Sequence, residues 1–179
     1  MKVARLSVLI AALGMAFPVA NLVHAKDVKF PKENDPAFIF TVPGDWKNAP
    51  DEAGNLRVTA ANESCALSLS MIQDPKSARL LSGDPHKALD VLYRAIFNGA
   101  KIDDSNRRQD VEIAGRMGTA YIGTTKNPQG EEVNVTLILV KVDDNHAASL
   151  TMVTTQTISS EDRDVLEKVL KSMKFTEAK

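Results

Sequence analysis

The chain has 179 residues, of which 44% are hydrophobic and 25% charged, a composition typical of a globular protein of about one domain. Its 22 basic and 23 acidic residues give a formal net charge of -1, so no basic excess predicts nucleic-acid binding. A single cysteine excludes a disulfide within the chain and a zinc site built from several cysteines.

The first 25 residues have the pattern of a secretory signal peptide. Two basic residues, Lys2 and Arg5, precede an uncharged, mostly apolar run over 6–20. The small and branched residues at 23–25 match a signal peptidase site, which predicts Lys26 as the first residue of the mature protein.

A cut after Ala20 is the less favoured alternative. No cysteine lies near either site, which argues against a lipoprotein, and no later stretch is apolar enough to cross a bilayer. The leader is of bacterial type. The sequence therefore predicts a soluble protein of the periplasm or the medium, without stable membrane insertion after cleavage.

The mature chain begins with a predicted group of three strands, at 38–42, 56–61 and 65–71. Pro43-Gly44-Asp45 ends the first strand, and a hairpin turn at Asn62-Glu63 joins the other two as an antiparallel pair. Alternation places four larger residues of the third strand on one face: Cys65, Leu67, Leu69 and Met71.

A helix follows, with Asp84 as its N-cap and Pro85 at its first position. The sequence Asn98-Gly99 ends it, and residues 101–107 are predicted to form a loop. The predicted apolar stripe of this helix contains Ala88, Leu92, Ala95 and Ile96.

Four strands come next, joined by turns whose composition suits hairpins. The apolar run 137–140 predicts that one of them is covered on both faces. The strands are predicted at 109–113, 117–124, 132–142 and 147–155, with turns at 114–116, 127–130 and 143–145.

The final element is an amphipathic helix that starts with a capping box formed by Ser159 and Asp162. Its outer face pairs Asp164 with Lys168 and Glu167 with Lys171 at i,i+4 spacing. Its predicted buried stripe contains Val165, Leu166, Val169, Leu170 and Met173.

The element order is thus βββ-α-ββββ-α. Short connections within each strand group predict a mainly antiparallel sheet, and the doubly buried strand predicts helices on both of its faces. The fold class is α+β.

This order resembles the PsbP-like superfamily, and within it the DcrB-like branch of small exported bacterial proteins. The resemblance also depends on Phe38-x-Phe40-x-Val42-Pro43-Gly44-Asp45-Trp46 and on a last helix closing in Ser172-Met173-Lys174-Phe175. It implies one α/β/α sandwich over 26–179, following the signal peptide at 1–25. It also implies a role in binding or assembly, since the superfamily includes a photosystem II subunit and a Ran-binding import factor.

Two histidines follow the leader, His86 near the start of a helix and His146 at a hairpin tip beside Asp143 and Asp144. A carboxylate–histidine metal site at the tip is one interpretation. A solvated turn is favoured, because Asp and Asn fill turns for backbone reasons.

Other candidate residues have simpler explanations in the fold. Cys65 lies on an apolar face and is predicted to be buried and unreactive. The lone Trp46 is predicted to close the core, and the charged residues Asp103-Asp104 and Arg107-Arg108 to form a solvated loop. No G-x-S-x-G elbow or phosphate loop is present, and strand bulges are expected to explain Gly118 and Gly123.

The sequence therefore predicts no catalytic, cofactor-binding or metal-binding residue. The favoured function is a non-enzymatic exported protein that binds or assists a protein partner of the bacterial envelope. Two alternatives stay open: a small periplasmic hydrolase or metal-dependent enzyme centred on His146, and an immunity or inhibitor protein directed against a secreted toxin.

Overall fold

A computed structural model describes residues 25–31, 37–50, 54–72, 75–97, 107–127 and 129–176. The signal peptide predicted at 1–25 lies outside these ranges except for Ala25, as do Asn98-Gly99 and Asp103-Asp104. The strands are β1 Lys26–Phe30, β2 Ala37–Val42, β3 Lys47–Pro50, β4 Leu56–Thr59, β5 Cys65–Ile72, β6 Arg107–Ile113, β7 Arg116–Lys126, β8 Glu132–Lys141, β9 Ala147–Thr155 and β10 Lys174–Thr176. The helices are α1 Pro75–Gly83, α2 Pro85–Ile96 and α3 Ser160–Ser172.

Within the described ranges the strands form two sheets. The large sheet has the order β3-β4-β5-β9-β8-β7-β6, and the small sheet has the order β1-β2-β10. Every pairing in both sheets is antiparallel, so the predicted fold class and the predicted pairing of β4 with β5 are confirmed.

The small sheet and α3 cover one side of the large sheet. Alternation along β5 directs Leu67 and Leu69 to this side, and both are fully buried. From α3, Leu166, Val169 and Met173 enter the same core, so the predicted stripe of the last helix is confirmed. Phe38, Phe40 and Val42 of β2 fill the space opposite.

The helix pair α1–α2 covers part of the other side, over β7 and β8. Leu89 and Tyr93 of α2 pack there with Tyr121 of β7. The run 137–140 in β8 is buried throughout because it lies between the two cores, as its composition predicted. Helices therefore lie on both sides of the large sheet.

The predicted apolar stripe of α2 is partly wrong. Ala88 is buried, but Ala95 and Ile96 are exposed, Ile96 to 40%. The helix is rotated so that Tyr93 faces the sheet, where its ring meets the Tyr121 ring edge-on at 4.8 Å. Asp84 caps the helix as predicted, because its carboxylate accepts the Lys87 N–H at 3.0 Å.

Two further details depart from the sequence-based expectations. The predicted loop ends too late, because β6 already starts at Arg107. The pairing of β7 runs without interruption through Gly118 and Gly123, so no bulge explains these glycines. At Gly118 an added Cβ would lie 2.6 Å from the Leu139 carbonyl oxygen, so the close approach of β8 requires a glycine.

Four elements were not predicted: β1, β3, β10 and α1. Each carries a weak signal. All residues of β3 are exposed and the strand ends in Pro50, while β10 has only three residues. In β1, only Val28 and Phe30 alternate with polar residues. The predicted order βββ-α-ββββ-α therefore holds for the strongly patterned elements alone.

Candidate protein interface

The hairpin between β8 and β9 fixes His146 against a carboxylate. Its Nδ1 lies 2.8 Å from both carboxylate oxygens of Asp143, whose Oδ1 also accepts the backbone N–H groups of Asn145 and His146. Burial raises the pKa of Asp143, but these hydrogen bonds outweigh it and leave the pKa below its usual value. The neighbouring Asp144 pairs with Lys141 at 2.7 Å. The carboxylates at this tip thus order the turn.

His86 lies on a different part of the molecule. Its side chain is exposed at the start of α2, with Nδ1 3.3 Å from the hydroxyl of the buried Thr119 on β7. The described residues contain no group of three His, Cys, Asp or Glu side chains that could hold a metal ion.

Cys65 is buried to 2% exposure, as the alternation predicted, and burial raises the pKa of its thiol. It is distant from both histidines. Cys65 is paired with Thr154, whereas His146 precedes Ala147 at the other end of β9, about 24 Å away at ~3.4 Å per residue. His86 lies on the opposite side of the large sheet, so neither of these two histidines forms a pair with Cys65.

Two further candidates are structural. Trp46 is 5% exposed and belongs to the core, as predicted, while its backbone oxygen accepts a hydrogen bond from Lys26 Nζ at 2.8 Å. Arg108 lies on β6 rather than in a loop, and it pairs with Asp90 of α2 at 2.9 Å. This ion pair joins the edge of the large sheet to the helix above it.

An open area lies on the α1–α2 side of the large sheet. The helix pair packs over β7 and β8, while β3, β4, β5 and β9 continue beyond it. Ile72 of β5 and Ala147 of β9 lie on this side too, but they pack with the helix pair. We call ten other side chains of these four strands on this side the open face. They are Lys47, Ala49, Arg57, Thr59, Ala66, Ser68, Ser70, Ser149, Thr151 and Val153.

The register of the paired strands shows on which side of the sheet the open face lies. Ser68 is opposite Thr151, and Thr151 is opposite Leu137, which is buried beneath the helix pair. These three residues therefore share one side of the sheet. Ser68 and Thr151 are only half-buried, in contrast to Leu67 and Leu69 on the reverse side.

The composition of the open face is polar and small. Hydroxyl and alanine side chains line its centre, and Arg57 extends from β4 into solvent. Sequence reasoning separated the two faces of β5 correctly, but it identified no interface here. The place where α1 and α2 dock decides which strands stay uncovered, and no local pattern in the strands encodes that place.

Neither a family model nor a curated protein matches the chain. Among solved structures, the chain is similar to LpqN of Mycobacterium tuberculosis, described as involved in cell envelope biogenesis. The identity is 13% and the TM-score 0.54, over 86% of this chain and 92% of that chain. It is also similar to cyanobacterial PsbP (CyanoP) from Synechocystis sp. PCC 6803, with 9% identity and a TM-score of 0.56, over 92% of this chain and 99% of that chain.

The chain has the PsbP-like fold. This confirms the fold expected from the element order and from the segment Phe38–Trp46. The narrower DcrB-like assignment stays a prediction. At such low identity the two neighbours establish the architecture of this chain alone, and their roles are not assigned to it. No helix among the described residues is long and apolar enough to cross a membrane.

Proposed function

We propose that the chain is an exported protein of the bacterial envelope that binds a partner protein there and catalyses no reaction. The open face is the main support for this proposal, because the described residues leave this part of the sheet without a covering helix, so that it is available for contact. Its neighbour LpqN, described as involved in cell envelope biogenesis, supports the envelope setting. The leader at 1–25 supports export.

The placement of the chemically active side chains also supports binding over catalysis. The imidazole of His146 is held by Asp143, that of His86 contacts Thr119, and the Cys65 thiol is buried. These groups lie apart, and none of them belongs to the open face. A hydrolase would require a nucleophile and a base within hydrogen-bond reach of each other.

Export is tested by mass spectrometry of the protein from its native host. We expect a chain that begins at Lys26, which is also where β1 begins, so that cleavage leaves the strand intact. A chain that retains Met1 in the membrane fraction would contradict the proposal.

Binding is tested by a photo-crosslinking amino acid placed at Ser68 in the living host. The matched control carries it at Ser160, an exposed serine on α3. We expect one discrete protein adduct from position 68 and none of that mass from position 160. Equal adducts from both positions, or none from position 68, would contradict binding through the open face. Identification of the adduct as a toxin would favour the inhibitor alternative.

A further inference from the structure

The open face carries a charge imbalance at its centre. Arg57 is exposed on β4, and among the described residues no acidic side chain forms an ion pair with it. The only other cation of the open face, Lys47, lies 3.9 Å from Glu63. The described residues of the open face include no carboxylate. The whole chain, in contrast, has a net charge of -1.

Arg57 stands in a row with two hydroxyl groups. Arg57 is opposite Ser68, and Ser68 is opposite Thr151, so the row crosses three adjacent strands. Side chains directly opposite on antiparallel strands have Cβ atoms about 4.5–5.5 Å apart. The row therefore presents a guanidinium and two hydroxyl donors over a length of about 10 Å, within reach of one short segment of a ligand.

This set of donors suits carboxylates. A guanidinium binds a carboxylate through two parallel hydrogen bonds, and serine and threonine hydroxyls donate to the remaining lone pairs. The described side chains of the open face include no aromatic ring on which a sugar could stack. A second copy of this chain that packs open face to open face fits poorly, because it would place Arg57 against an equally acid-free surface.

The size of the open face also disfavours a stable dimer. Four strands at about 4.8 Å spacing cover about 19 Å. With three rows of outward side chains, the area is about 400 Å², whereas a stable interface buries about 800 Å² per partner. A single segment of a larger protein fits this area better.

We propose that the open face binds an acidic segment of a partner protein, whose Asp or Glu carboxylate pairs with Arg57 and accepts hydrogen bonds from Ser68 and Thr151. This inference rests on the proposed function, and it adds the chemistry of the partner and the residues that recognise it.

The test is a titration of the ¹⁵N-labelled mature protein with poly-L-glutamate, followed by NMR. We expect saturable shifts of the Ser68 and Thr151 amide signals, and an affinity at least ~10-fold lower for Arg57→Gln, as for the loss of a charge-assisted bidentate contact. Arg163→Gln on α3, which removes an equal charge from an exposed site elsewhere, is expected to bind like the parent protein.

Two outcomes would overturn the inference: unchanged affinity for Arg57→Gln, or stronger binding of the anionic polysaccharide polygalacturonate than of poly-L-glutamate at the same amides. A variant that loses its native circular dichroism spectrum is replaced by Arg57→Lys, which keeps the charge and removes the bidentate fork. We expect Arg57→Lys to bind more weakly than the parent protein. The two failures are distinguishable. If the crosslinking at Ser68 yields a discrete adduct while Arg57→Gln binds poly-L-glutamate like the parent protein, the proposed function stands and this inference alone is wrong. If the crosslinking yields no adduct, the proposed function is wrong and this inference is wrong with it.

Discussion

The two sides of the large sheet are built from the same strands, yet only one is a continuous core. On the side of the small sheet, β5 contributes Leu67 and Leu69, which are fully buried. On the other side, the alternate residues Ser68 and Ser70 are only half-buried. The difference shows that side-chain chemistry determines which side of the sheet is covered. Burial of large apolar groups lowers the free energy, whereas hydroxyl groups are already hydrogen-bonded in water and gain little from burial.

Removal of α3 should destabilise the protein most, because it uncovers the continuous core. A chain that ends at Ile158 lacks the buried Leu166, Val169 and Met173. We expect no cooperative thermal unfolding and no native circular dichroism spectrum from it. A chain that ends at Thr176 keeps α3 and β10 and should unfold like the full protein. A folded, soluble chain ending at Ile158 would show that α3 is a docking arm.

Substitutions at neighbouring residues of β5 should separate the two sides. Leu67→Ala removes a fully buried side chain and should lower the free energy of unfolding by about 2–5 kcal/mol. Ser68→Ala, one residue further, should change it by no more than about 0.5 kcal/mol. Urea unfolding of both variants measures this difference. Similar losses for both would mean that the open face is covered in the folded protein.

The sequence predicted this contrast only in part. Alternation in β5 and the apolar run in β8 identified buried positions, because each pattern is local and several residues long. Lys47–Pro50 has no such pattern, and it forms β3 only because β4 offers a free edge. The rotation of α2 depends on the contact of Tyr93 with Tyr121, which is distant in sequence.

The open face could not be predicted for the same reason. Alternation within each strand predicts which residues share a side. No pattern within a strand predicts where the helix pair ends on the sheet. Arg57 and Thr151 become neighbours of Ser68 only through the register of three strands. Local patterns therefore predicted the elements, and the interface arose from their arrangement.

A smaller effect is expected at Gly118, where β8 approaches the backbone of β7 closely. Gly118→Ala places a Cβ 2.6 Å from the Leu139 carbonyl oxygen, so β7 and β8 must separate slightly. We expect a loss of about 1–3 kcal/mol in the free energy of unfolding. Gly83→Ala at the end of α1 meets no atom within 4 Å and is the control, expected to be neutral or stabilising. Equal effects in urea unfolding would contradict the close approach of β8.

The smallest effect concerns Asp162, which joins α3 to the β4–β5 turn. Hydrogen bonds from Asn62 Nδ2, Ser159 Oγ and Ser64 Oγ hold the pKa of this carboxyl below its ordinary value. Because the pKa is lower in the folded protein, the ionised form stabilises the fold above about pH 4, and this stabilisation is lost as the pH falls through the lowered pKa.

Asp162→Asn should therefore be less stable than the parent protein at pH 6, and the difference should shrink toward pH 2. Urea unfolding at a series of pH values measures it. Asp164→Asn removes an equal charge from the same helix and is the matched control. A difference that grows with acid, or that is the same for both variants, would contradict the role of Asp162.

The open face should be accessible in the isolated protein and covered by a partner in the cell. The most direct test of this expectation is thiol labelling in a Cys65→Ala background, with Ser68→Cys on the open face and Ser160→Cys on α3 as the control. We expect a maleimide to label both cysteines rapidly in the purified protein. In the living host, only the cysteine at position 160 should be labelled rapidly. Slow labelling of position 68 in the purified protein, or equally fast labelling of both positions in the cell, would contradict it.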